Sequence, residues 1–137
     1  MIDVLTRRAC AIPLKQKTAE ETYQGLHKAY DFISRGKVPF VLTTDNGKEF
    51  FKVKTENIIH RTANVGDHRS LGLIDRFSKT IKNIVAKHMT RQQTNKWIDK
   101  VEPIINAYNN TPHSALNGMT PNEASKNLDK AVSYCRD

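Results

Sequence analysis

Two aspartates stand where carboxylate chemistry is possible. Asp45 lies in VLTTDNGKEF, residues 41–50, where an apolar run from Phe40 to Leu42 ends in two threonines, an acid and an Asn-Gly pair. That pattern predicts a strand that stops abruptly, with a carboxylate at its C-terminal lip and a turn into a helix. Asp75 stands at the start of a long helical pattern, with 29 residues between it and Asp45. Carboxylates from separate elements bind hard divalent cations such as Mg²⁺. Two such ions about 3.5–4 Å apart clamp the attacking and leaving oxygens of an in-line phosphoryl transfer. Lys79 and Lys82 follow Asp75 by four and seven residues, a spacing that puts all three on one helix face. An acid beside a lysine ladder suits a phosphate backbone held with its scissile bond at the acid. The same residues also fit a solvated amphipathic helix with an Asp-Lys pair and an ordinary Asp-Asn-Gly turn. Spacing leaves both readings open.

The elements that must carry these residues can be read along the chain. Residues 1–5 and 8–14 read as two short strands joined at Thr6-Arg7 and stopped at Pro13. Thr18 with Glu21 predicts a capping box opening a helix, with Tyr23, Leu26, Tyr30 and Ile33 at helical spacing and Gly36 as its end. PFVLTT is the next strand, residues 47–55 a short helix, NIIHRT an edge strand, and TANVGDHR a polar loop. A helix over about 70–89 carries Ile74, Phe77, Ile81, Ile84 and Val85 as an apolar stripe, with Arg76, Lys79, Lys82 and Lys87 on other faces. A second long helix is expected over about 92–109, with Trp97, Ile98, Val101, Ile104, Ile105 and Tyr108 inward and Pro103 bending it. A short helix opens at Pro121. The order predicts an α/β fold with one mixed sheet, whose sites lie at the C-terminal lips of strands.

Composition narrows the class. The 137 residues suit one domain, and 38% hydrophobic content suffices for a core. A net charge of +8 and a pI near 9.6 point to a polyanionic partner. No apolar run reaches the ~20 residues that span a membrane. Cys10 and Cys135 are too few for a disulfide framework, and no Cys-x-x-Cys or paired histidines carry zinc-finger spacing.

Four ordered motifs resemble the catalytic core of retroviral-type integrases, most closely those of Maverick/Polinton transposons and virophages. They are IDVLTRRACAIPLKQKTAEE, TTDNGKEF, HRSLGLIDRFSKTIKNIV and YNNTPHSALNGMTPNEA, and together they cover nearly the whole chain. The resemblance implies a ribonuclease-H-like mixed sheet flanked by helices, with a catalytic core over residues 1–128 and a tail over 129–137. It implies three acids holding Mg²⁺, with Mn²⁺ as substitute. Asp45 would be the second acid and Asp75 the third. Lys79, Lys82, Arg76, Asn46 and Gly47 would bind DNA, the last two from the turn that shapes the site. The implied reactions are water attack on a DNA end and attack of the freed 3′-hydroxyl on target DNA, by a nuclear homo-oligomer.

Two departures accompany the resemblance. The family's usual third acid is Glu, one methylene longer than Asp75. Asp3, with 41 residues before Asp45, aligns with the family's second strand. The first catalytic Asp belongs to a strand upstream, so Asp3 is a disfavoured third acid and the chain is expected to be an N-terminally truncated core without its first strand. The alternative function is an inert remnant that retains nucleic-acid binding or dimerisation.

Overall fold

A computed structural model describes residues 1–35, 39, 41–55, 57–64 and 68–135. The expected helix end at Gly36 and the loop acid Asp67 lie outside these residues. The chain divides into two compact units, one of residues 12–76 and one of 1–11 with 77–137.

In the first unit, α1 runs over Ala19–Ser34. Thr18 caps it, its hydroxyl accepting the Glu21 N–H at 3.2 Å. The reciprocal half of the box is diverted. The Glu21 carboxylate accepts the backbone N–H groups of Lys15 and Gln16 at 2.9 and 2.8 Å, tying down the segment before the helix. Arg35 ends it in the left-handed region, at φ 54°. The buried face is Thr22, Gly25, Ala29 and Tyr30, with Tyr23, Leu26 and Ile33 only half-buried. Small residues prevail because the chain crosses here: a Cβ on Gly25 would lie 2.8 Å from Leu14 Cδ2.

Strand β1, Val41–Thr44, alternates exposed Val41 and Thr43 with buried Leu42 and Thr44. It pairs in parallel with β2, Ile59–Thr62, in the register Val41 to Ile59 through Thr44 to Thr62. β2 is mostly exposed, as suits an edge. Between them Lys48–Thr55 form a 3₁₀ helix that packs against α1 and buries Val53.

Helix α2, His68–Gln92, runs from this unit into the second. Of its expected apolar stripe, Phe77 and Ile81 are buried, whereas Ile84 is 42% exposed. In the second unit α3, Ile98–Asn109, begins six residues later than the periodicity suggests, and Trp97 and Ile98 are exposed. Val101 and Ile105 carry the buried face. Pro103 lies inside α3, where it removes the hydrogen bond to the carbonyl of Asp99. α4, Pro121–Lys126, has a complete capping box from Thr120 and Glu123. Residues Leu128–Cys135 form α5, whose Ala131 packs with Leu116 and Ala124 in a core joined by Leu5 and Met119.

The first eleven residues make a hairpin held by one antiparallel bridge, Ile2 to Ala9, instead of two strands. Arg7 turns through φ 59°. Cys10 is a free buried cysteine, and burial pushes its thiol pKa up. No helix among the described residues is long and apolar enough to cross a membrane.

Candidate active site

Asp45 follows the last residue of β1 and is exposed. Its Oδ1 accepts the Gly47 N–H at 3.1 Å, which closes a tight turn around Asn46. Gly47 does not need a left-handed backbone here. It is small because the Glu49 carboxylate folds over it: a Cβ would meet Glu49 Oε2 at 2.5 Å. Glu49 pairs with Lys17 at 3.0 Å. Lys52 pairs with Glu20. Both ion pairs join the 3₁₀ helix to α1 or to the residue before its cap. Hydrogen bonds from its own backbone and from Lys17 hold the Glu49 pKa below its ordinary value. The Lys17 ammonium pKa is raised, first by Glu49 and further by the field of Asp45. Lys17 thus places a cation near Asp45, a contribution that sequence spacing did not reveal.

The β1 residue before the acid is anchored from β2. His60 pairs in register with Leu42, so it shares a face with Thr44. His60 Nε2 lies 2.8 Å from Thr44 Oγ1, and Thr44 Oγ1 donates to the Asp45 carbonyl at 2.7 Å. Thr44 itself is buried. From sequence Thr44 marks only a strand end and His60 only an edge strand; their pairing on one sheet face brings them together.

Asp75 is exposed on α2 and belongs to the same compact unit as Asp45. Beside it, Arg76 Nε donates to the Gly72 carbonyl at 3.3 Å. Lys79 and Lys82 are exposed further along the helix. The C-terminal half of α2 and α3 border an open groove lined by Ile84, Lys87, His88, Arg91, Lys100 and Ile104, among others. This extends the cationic surface of α2.

Asp3 lies in the other unit. Its Oδ2 accepts both the backbone N–H of Thr6 at 3.1 Å and the Thr6 hydroxyl at 2.5 Å, and Thr6 Oγ1 accepts the Arg8 N–H. Its carboxylate is committed to the hairpin turn. Among the described residues no three His, Cys, Asp or Glu side chains converge on a position for a metal ion.

The polar residues of YNNTPHSALNGMTPNEA hold the second unit together. Asn109 pairs with Ala9, the Asn110 amide reaches Asn106, and Thr111 donates to the Ala107 carbonyl. The His113 backbone accepts from Leu116 and Gly118 and donates to Met119. Its ring packs edge-on against Tyr108, 4.8 Å between centroids, with Nε2 buried and without a hydrogen bond. His113 thus holds the segment through its backbone hydrogen bonds while its ring packs on Tyr108.

No family model matches the chain. The catalytic core domain of the HTLV-2 integrase, solved in complex with magnesium in a trimeric form, superposes with a TM-score of 0.67 at 22% identity, over 89% of this chain and 79% of that one. The fold is that of the ribonuclease-H-like integrase core. Among sequence relatives, a transposon-derived protein of Caenorhabditis elegans is 26% identical over 119 residues, 84% of this chain. A second protein of that species is 35% identical over 91 residues, 62% of this chain. The Gag-Pol polyprotein of walleye dermal sarcoma virus is 24% identical along the whole chain. The chain spans 41% of the first relative's length, 7% of the second's and 8% of the third's.

Proposed function

We propose that this chain is the catalytic core of a mobile-element integrase that uses Asp45 and Asp75 for Mg²⁺-dependent DNA end processing and strand transfer. The observation that carries the reading is the position of Asp45. It is an exposed carboxylate, fixed by the Gly47 N–H at the C-terminal lip of β1, in a ribonuclease-H-like fold. The retroviral and transposon-derived relatives support the mobile-element setting. The four ordered motifs support a place near the Maverick/Polinton and virophage enzymes. DNA ends and target DNA are the partners on this reading, a homo-oligomer the working form and the nucleus the site of action.

Mg²⁺ suits these donors: two exposed carboxylates are the number of acids it commonly takes from a protein, with water and phosphate completing its shell. When bound it neutralises charge on the scissile phosphate and aligns the attacking and leaving oxygens. Asp45 and Asp75 would supply its protein oxygens. Gly47 holds the Asp45 carboxylate in one orientation; Arg76 and the Asn46-Gly47 turn would contact phosphate, and Lys79 and Lys82 would each contact phosphate from α2.

Labelled DNA ends incubated with the 1–137 chain and Mg²⁺ or Mn²⁺ test this. Metal-dependent cleavage that falls to background in Asp45→Asn and in Asp75→Asn supports it. One observation favours a second reading, an inert remnant that binds DNA or dimerises: no third metal-binding side chain joins the two acids among the described residues. DNA binding that is indifferent to metal and to both substitutions, with no cleavage, would establish the remnant instead.

A further inference from the structure

We infer that His60 is a positioning residue for Asp45, acting through the Thr44 hydroxyl. The inference deepens the metal-site reading, but its first test does not depend on that reading. Thr44 Oγ1 has one proton and two neighbours within hydrogen-bond distance, the Asp45 carbonyl at 2.7 Å and His60 Nε2 at 2.8 Å. The carbonyl can only accept. Imidazole Nε2 either donates or accepts, according to its tautomer. Both contacts are hydrogen bonds only when Nε2 carries a proton. His60 then donates to Thr44, and Thr44 donates to Asp45. With the proton on Nδ1 instead, the two acceptors compete for the one hydroxyl proton. Should it turn to His60, the Asp45 carbonyl loses this donor.

The geometry is fixed from both ends. Register places His60 and Thr44 on one face of the pair, and the Ala63 N–H continues the ladder to the Thr44 carbonyl at 2.9 Å. Thr44 is buried, so water is a poor substitute for the imidazole. The peptide carrying Asp45 is thereby held on its carbonyl side by Thr44, while the carboxylate is held by Gly47. One contact fixes the peptide that carries Asp45 and the other the carboxylate itself. Support of this kind for an acid that holds a metal commonly matters about 10-fold or more in affinity.

Two measurements on the 1–137 chain test the relay. The ¹⁵N shifts and ring couplings of His60 in labelled protein report its tautomer. The expected result is protonated Nε2, with the Asp45 and Gly47 amide resonances shifting in His60→Leu and returning toward wild type in His60→Gln, which restores an N–H donor. A neutral Nδ1–H ring, or Asp45 resonances indifferent to His60→Leu, overturns the inference. Mn²⁺ titration read by paramagnetic broadening then separates it from the metal reading. Wild-type broadening at Asp45 that weakens about 10-fold in His60→Leu, at an unchanged melting temperature, supports both. Wild-type broadening unaltered by His60→Leu overturns the relay alone. No broadening at Asp45 in wild type overturns the metal reading and leaves the tautomer result to decide the relay.

Discussion

Asn109 and Ala9 are 100 residues apart in sequence and joined by two hydrogen bonds. The Ala9 N–H donates to Asn109 Oδ1 at 2.9 Å, and Asn109 Nδ2 donates to the Ala9 carbonyl at 2.8 Å. Both residues are almost fully buried. The side-chain amide takes the place of a neighbouring strand, satisfying both backbone groups of Ala9 just where the Ile2–Ala9 bridge ends.

Removing that amide should be costly. Asn109→Ala leaves two buried backbone groups unpaired, and each costs about 1–3 kcal/mol. A loss of about 2–6 kcal/mol in urea unfolding is expected. Asn109→Asp should be more damaging at neutral pH than in acid. Its carboxylate faces the Ala9 carbonyl and must be protonated to donate, so its folded pKa is raised and its stability is lost as pH rises. Equal destabilisation at pH 4 and pH 7 would contradict this account.

Gly47 and Glu49 should be coupled. Gly47→Ala drives a methyl group into the Glu49 carboxylate and should displace Glu49 from Lys17. In a Glu49→Ala background the three atoms that lie nearest to the new methyl group are gone. The drop in melting temperature caused by Gly47→Ala is therefore expected to vanish in the double variant, which a double-mutant cycle would read directly.

Acid should loosen the 3₁₀ helix from α1. The Lys52 hydrogen bond lowers the Glu20 pKa, and the Glu49 pKa is lowered by its own backbone and by Lys17. A depressed folded pKa means that the contribution is complete above the ordinary value of 4.5 and is lost as pH falls below it through the folded value. Glu20 and Lys52 are exposed, so salt should screen that pair, and the half-buried Glu49 less strongly. Carboxyl NMR titration should show both glutamates ionising below the usual range, and high salt should move them back toward it.

Lys79 and Lys82 should contribute to affinity for DNA without reading its sequence. If each neutralises one phosphate, replacing both with alanine lowers the slope of log affinity against log salt by about 2 for duplex DNA. An unaltered slope would remove them from the interface. The same substitutions should barely move the melting temperature, because both side chains are exposed.

Much of the local architecture was legible from neighbours in the chain. Thr18 marked the start of α1, the threonines before Asp45 marked the end of β1, and Pro121 marked the start of α4. Each of those signals acts within about four residues, where backbone groups left unpaired at an element's end are met by adjacent side chains. Periodicity likewise found Phe77 and Ile81 on the buried side of α2. It assigned Ile84 to the same stripe wrongly, because a stripe has an edge that only the packed neighbours define.

The sequence by itself determined the alternation of elements, the basic surface, and an acid at a strand lip beside a turn. Tertiary structure alone decided that Leu14 packs over Gly25, that Lys17 reaches Glu49, that Asn109 serves Ala9, and that His60 stands beside Thr44. Those four relationships join residues from 11 to 100 positions apart. No local preference encodes them. They arise when buried polar groups and close-packed side chains must all be satisfied at once, and that condition exists only after the chain has closed on itself.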